Sequence, residues 1–237
     1  MELITTVSRE NVFSVRSILE MLDENQVYGN HTNASLIEII KLINDKLSAC
    51  KTRQEGLLHL SKLLEQSNLT SIIDLLQDNF NLWFYHCKKE CEISATNGGN
   101  STMCWMLMKK LILMSKESID IKKYIQTQEL NNLLNIILNN DYSNTKINNK
   151  IQMIHCLEIL LSIYNGSLQS YKATIEQFLV DNFIDCESEP ITLLVGRCFH
   201  ILQLVNEQSC SNKVQLWSKQ QNKLYKLYRK PHLVETN

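Results

Sequence analysis

Proline and glycine are scarce in this sequence: it has 2 prolines and 6 glycines among 237 residues. Sandwiches, barrels and loop-rich enzymes use these residues to turn, so their scarcity argues against most β-architectures. Long apolar runs are lacking too, since none reaches the roughly 18 residues that span a bilayer. The opening stretch "MELITTVSREN" has neither the basic n-region nor the apolar h-region of a secretory signal. An excess of one charge is also missing. Lys and Arg number 24 against 25 Asp and Glu, a formal net charge of −1, which argues against a dominant nucleic-acid-binding face but leaves room for a local patch.

The 8 cysteines are dispersed singly, mostly inside apolar stretches such as "MCWMLM" and "VGRCFHIL". Without a secretory signal they read as reduced core thiols of a cytosolic or nuclear protein. Sequons at Asn30, Asn33, Asn68, Asn100 and Asn165 are chance matches in an Asn-rich chain, and no glycosylation is expected.

What is present is helical periodicity, almost throughout. "SVRSILEMLD" sets Val15, Ile18, Leu19 and Leu22 on one face, the i, i+3, i+4, i+7 pattern of an amphipathic helix. "NASLIEIIKLINDKL" repeats it with Leu36, Ile39, Ile40, Ile43 and Leu47, and Asn33 is placed to cap it. "EGLLHLSKLLEQ" and "TSIIDLLQDNFNLWFYHC" follow, and "SATNGGNST" over 94–102 reads as a flexible loop. Beyond it "MCWMLMKKLILM" promises the most buried helix. A bridging segment and the helix "ELNNLLNIIL" come next. The stretch "CLEILLSIYNGSLQSYKATIEQFLV" then carries two apolar stripes across Asn165-Gly166-Ser167. Gly166 there predicts a helix C-cap and Ser167 a new N-cap, joining two antiparallel neighbours. The last pair is "PITLLVGRCFHILQLV", with Pro190 in the first turn, and "VQLWSKQQNKLYKLY". Adjacent pairs begin roughly 40 residues apart, the period of HEAT or armadillo units. The expected fold is all-α: one armadillo/HEAT-like helical-repeat array, an α-solenoid, over residues 1–237.

Residues that could carry chemistry are few. His86, Cys87 and Cys91 lie close together, but a zinc site needs further ligands, and the nearest, Cys104, lies across the loop. Core cysteines at a helix end are the preferred reading. There is no G-x-S-x-G, no Gly-rich phosphate loop and no H-E-x-x-H. His59, His155 and His200 each sit inside an apolar helix. No enzyme activity and no cofactor or metal are expected.

Two further features concern binding. Three stretches read L-x-x-L-L: residues 60–64, 130–134 and 157–161. Such a helix can dock in a groove as coactivator peptides do, yet any buried amphipathic helix produces the same spacing. The terminal "KLYKLYRKPH" interleaves basic residues with tyrosines. Lys223, Tyr225, Lys226, Tyr228 and Arg229 are therefore candidates for an RNA or acidic partner surface. A solvated terminal helix is the preferred reading.

The order of these features resembles a known family. "GLLHLSKLL", then "NFNLW" with Asn79 and Trp83, then "ELNNLLNIIL", then the double stripe around Asn165, and a final helix with Trp217 resemble the N-terminal region of the Rix-type pre-rRNA-processing proteins, the proline-, glutamic acid- and leucine-rich protein family. The likeness covers about residues 50–228. Asn165 stands where the family often has Pro, and Gln169 where a basic residue is common. The resemblance implies a helical-repeat scaffold in the nucleus (nucleolus and nucleoplasm), in a complex that matures the large ribosomal subunit and removes the second internal transcribed spacer. It implies three partners: a WD-repeat propeller protein, a second helical-repeat subunit and a midasin-type ATPase. RNA would be met only weakly or indirectly. The family's proline- and glutamate-rich C-terminal region is not in this sequence, so the resemblance does not extend to the functions of that region, histone contacts among them; a shortened paralogue, an isoform and an incomplete gene model all fit. The alternatives are a nuclear-receptor coregulator acting through an exposed L-x-x-L-L helix, and an armadillo-type adaptor.

The sequence also assigns Trp217 to anchoring the last helix on the helix over 190–205, since a terminal repeat has one neighbour only. Truncation at residue 210 should expose Leu194, Phe199 and Leu202 and promote aggregation. Light scattering and a melting curve check this, and a monomeric truncated chain with unchanged melting would refute it.

Overall fold

A computed structural model describes residues 31–66, 76–97, 102–139, 142 and 145–202. Among them every regular element is helical. Trp217 and the basic-aromatic stretch with Lys223, Tyr225, Lys226, Tyr228 and Arg229 lie outside the described residues, as does the first expected helix over 14–23.

Helix α1 spans His31–Ser48 and α2 Arg53–Gln66. Its start at His31 puts Asn33 inside the first turn rather than at the cap. The leucine and isoleucine stripe of α1 is buried against α2. The two helices approach closely at Gly56, where an added Cβ would lie 3.0 Å from the Leu47 amide nitrogen. Helix α3 spans Phe80–Asn97 and α4 Thr102–Met114. The expected loop over 94–102 is therefore shorter, because residues 94–97 continue α3. At the front, the stretch expected to run on into α3 breaks at Asp78-Asn79, with the Asn79 carbonyl accepting from the Trp83 amide at 3.2 Å.

Helix α5 (Ile119–Tyr124) is capped by Ser118, whose hydroxyl accepts from the Ile121 amide. A π-helical turn, Ile125–Glu129, joins it to α6 (Leu130–Leu138). Helix α7 spans Ile147–Leu168, a 3₁₀ turn Gln169–Tyr171, α8 Lys172–Phe183 and α9 Glu189–Ile201. Pro190 does occupy the first turn of α9.

The expected break at Asn165-Gly166-Ser167 is not there. Helix α7 runs through it, kinked at Tyr164 (φ −117°, ψ 20°), and Gly166 does not enter the left-handed region. A Gly-Ser pair bends a helix without ending it, and the chain leaves α7 only at Leu168. The expected antiparallel pairing of α7 with α8 is corrected as well. Helix α7 packs far more extensively on α4 and α9 than on α8, and α8 packs on α9.

Two sets of contacts organise the whole. Helices α2, α4, α7 and α9 touch in succession, and α1, α3 and α6 form a second succession beside them. Aromatic clusters brace the second set. Phe80 and Phe84 of α3 meet Tyr124 edge-on, with ring centroids 6.0 and 6.3 Å away. Tyr142, after α6, packs on Phe178 and Phe183 of α8 at 5.6 and 5.7 Å.

Leu160 is completely buried in α7, so Leu160→Ala should cost on the order of 2–5 kcal/mol in chemical denaturation. The helical glycines Gly56 and Gly166 should respond oppositely to alanine. Gly166 has open space around it, so Gly166→Ala should stabilise by up to about 1 kcal/mol. Gly56→Ala should destabilise, because the Leu47 backbone nitrogen at 3.0 Å, as well as the Leu47 side chain at 3.1 Å, faces the new methyl.

Candidate interaction surface

The cysteines and histidines come first, because a metal or a nucleophile would need them. Cys87, Cys91, Cys104 and Cys156 are all buried. The Cys87 thiol donates to the Cys104 carbonyl and the Cys156 thiol to the Trp105 carbonyl, each at 3.2 Å. Burial pushes the Cys104 thiol up to about 12 and raises Cys91 and Cys156 as well. Burial thus holds the Cys91, Cys104 and Cys156 thiols away from the thiolate form that a nucleophile needs. Among the described residues no three or more His, Cys, Asp or Glu side chains are placed to hold a metal ion. Nor is any described helix long and apolar enough to cross a membrane.

Asn79 and Trp83, on which the family resemblance partly rests, belong to a partly buried polar relay. The Trp83 indole donates to Asn44 Oδ1 at 2.7 Å, and the Asn44 amide donates to Asn79 Oδ1 at 2.6 Å. Trp83 has no solvent exposure, so its N–H needs a partner inside the protein. The relay fixes α3 against α1, which is a structural task. Asn44 was not singled out by its sequence, since a lone Asn in an amphipathic helix gives no signal until its partner is known.

The leucines of all three L-x-x-L-L stretches are buried: Leu60, Leu63 and Leu64; Leu130, Leu133 and Leu134; Leu157, Leu160 and Leu161. They build the core. Docking any of these helices into a receptor groove would first require pulling it out of the fold.

A different surface is assembled from the outward strips of α2, α4, α7 and α9. Each strip follows helical spacing: Leu58, Lys62 and Glu65 on α2; Met106, Lys109, Lys110 and Leu113 on α4; Ile151, His155, Glu158 and Ser162 on α7; Leu193, Arg197 and His200 on α9. Polar links tie the strips edge to edge. Lys110 Nζ lies 2.7 Å from Glu65 Oε1. Lys109 Nζ lies 3.5 Å from Gln152 Oε1. Arg197 Nη1 lies 3.5 Å from Glu158 Oε1, and His155 Nε2 stands 3.6 Å from Glu158 Oε2.

Both carboxylates on this face are paired. The Lys110 ammonium, hydrogen-bonded to Glu65, holds that carboxyl below its ordinary value. Burial and the Lys109 charge lower His155, against the raising effect of Glu158, so the imidazole is neutral at pH 7. Lys62 and Lys109 have no carboxylate within ion-pair distance among the described residues. Exposed apolar groups lie between the charges, at Leu58, Met106 and Leu193. The sequence signal for this face was its i, i+4, i+7 strips of mixed charge and apolar residues, visible only once it is known which helices stand side by side.

The chain matches no protein-family model and no curated protein.

Titration of the folded chain should show two acid steps. His59, His86 and His155 are each lowered from 6.5, burial being the largest cause. The unfolded chain therefore takes up protons that the folded chain refuses. Stability should fall as pH drops below 6.5 and level off beneath the lowered folded values. A second loss should follow below 4.5, where Glu55 and Glu65, lowered by hydrogen bonds from Lys46 and Lys110, become protonated. Melting temperature against pH checks this. The variant His59→Gln/His86→Gln/His155→Gln should lose the first step and keep the second.

Proposed function

We propose that this chain is a non-catalytic, armadillo/HEAT-like helical-repeat scaffold of a nuclear complex that matures the large ribosomal subunit. The observation that carries the scaffold reading is the continuous face built from α2, α4, α7 and α9. Successive helices stacked side by side offer an extended surface for other proteins without a catalytic pocket. The pairs α1 with α2, α3 with α4, α5–α6 with α7, and α8 with α9 supply the repeating units of the proposed solenoid.

The ribosomal assignment rests on the resemblance to the Rix-type family, with Asn79 and Trp83 at two of its positions. On that reading the partners are a WD-repeat propeller protein, a second helical-repeat subunit and a midasin-type ATPase. The chain then acts in the nucleolus and nucleoplasm during removal of the internal transcribed spacer. Pre-ribosomes are reached through protein partners, and RNA is bound weakly and without sequence preference. The burial of every L-x-x-L-L leucine leaves no observation in favour of the receptor-coregulator alternative.

The test is affinity purification of the tagged full chain with mass spectrometry, with and without depletion of the propeller partner. Large-subunit precursors should co-purify, spacer-containing rRNA should accumulate when the chain is depleted, and association should be lost when the propeller is removed. Steady cytoplasmic signal with signalling or transport partners would replace the assignment by an armadillo-type adaptor. Nanomolar, sequence-selective binding of the purified chain to spacer RNA would refute the scaffold.

A further inference from the structure

We infer that the α2–α4–α7–α9 face docks an acidic, apolar-containing segment of a partner protein, lying across the four helices in extended form. The inference deepens the scaffold reading and rests on it. Charge complementarity carries it. Two carboxylates on this face, Glu65 and Glu158, are already engaged by Lys110 and Arg197. Lys62 and Lys109 stand on the same face with no carboxylate of the described residues within ion-pair distance, and the one carboxylate that Lys62 acts on, Glu65, is already bonded to Lys110. Glu189 stands at the outer end of the α9 strip, in its first turn, away from these lysines in sequence and register. A chain of net charge −1 thus carries unmatched positive charge at one defined place.

The apolar residues decide between ligand classes. Leu58, Met106 and Leu193 are 44%, 37% and 37% exposed on the strips that carry the cations. A single-stranded nucleic acid would stack its bases on aromatic platforms, and the exposed apolar residues of this face, Leu58, Met106 and Leu193, are not aromatic. An acidic peptide suits both halves of the surface. Its carboxylates meet Lys62 and Lys109, and its Leu, Ile, Phe or Met side chains cover the three apolar groups. Helices stacked 8–10 Å apart place the outer two about 30 Å from each other, a span of about ten extended residues.

The experiment is selection of a displayed library of random peptides, about 12 residues long to cover that span, on the purified full chain. The enriched peptides are then measured by fluorescence anisotropy. Peptides rich in Asp and Glu interleaved with large apolar residues should be enriched. Lys62→Glu/Lys109→Glu should weaken them by about tenfold or more, while Lys122→Glu/Lys123→Glu, exposed on α5 outside this face, should leave them unchanged. Circular dichroism and melting establish that both variants remain folded. Enrichment of basic or neutral peptides, or binding indifferent to Lys62→Glu/Lys109→Glu, overturns the inference. So does a single-stranded RNA probe that outcompetes the peptides, or a dimer of the chain that Lys109→Glu dissociates. Because the selection uses the isolated chain, its failure leaves the pre-ribosome association of the previous test standing. Failure of that association leaves the peptide result standing.

Discussion

Helix α7 can be covered on two flanks at once because its apolar residues do not keep to one stripe. Met153, Leu157, Leu160 and Leu161 make one row, but Ile154, Cys156 and Ile159 are buried as well. A helix apolar around most of its circumference must lie inside a stack rather than at its edge. That constraint places α4 on one side and α9 on the other. Helix α4, buried at Cys104, Trp105, Leu107, Met108, Leu111, Ile112 and Met114, is subject to the same demand and passes it on to α2. Removing α7 would leave two fragments, each with an uncovered apolar flank. The outward strip of each stacked helix is what remains to face solvent, so the candidate surface is a by-product of the core's own geometry.

Dispersion and area burial alone would let such helices slide along one another, since leucine packs on leucine in many registers. Polar groups with directional partners remove that freedom. The Trp83–Asn44–Asn79 relay pins α3 to α1 at one height. Lys88 of α3 donates to Glu129 at 2.5 Å and Tyr124 to the other oxygen at 3.2 Å, which fixes the π turn against α3. The π turn itself carries one extra residue in its hydrogen-bond ladder, and it brings Glu129 into a site with 9% exposure. Loss of Lys88 would leave that buried charge unpaired, and loss of the Tyr124 hydroxyl would leave Glu129 Oε1 without its hydrogen bond.

Much of this was legible in the sequence. Scarce proline and glycine, and the repeated i, i+3, i+4, i+7 stripes, fix helical structure because that periodicity has no other stable expression. Leu36 through Leu47, the three leucine motifs and Pro190 fall where their spacing puts them. Pairing was less legible. Gly166 reads as a terminator because glycine serves equally at a C-cap and inside a kinked helix. Only the burial of Leu168 beyond it separates the two. The face was the least legible part. Lys62, Lys109 and Arg197 lie 47 and 88 positions apart in order of sequence, and each alone is an ordinary solvated charge. Their meaning comes from which helices become neighbours, and that is a non-local fact.

The kink at Tyr164 links the stack to its surface. A straight α7 would carry its last turn along the axis set by residues 147–163 and draw Leu168 off the core. The bend turns Ser167 towards Gln126 of the π turn, whose amide donates to its hydroxyl at 2.8 Å. In α8, which follows, Phe178 packs on Tyr142. Helix α9 can then return along the other flank of α7, which brings Arg197 to Glu158. Had α8 folded back on α7 as a simple hairpin, α9 would have been displaced by one helix and Arg197 with it. The surface would then have ended at α7. The extent of the face is therefore set by a backbone irregularity in the core, not by the residues exposed on it.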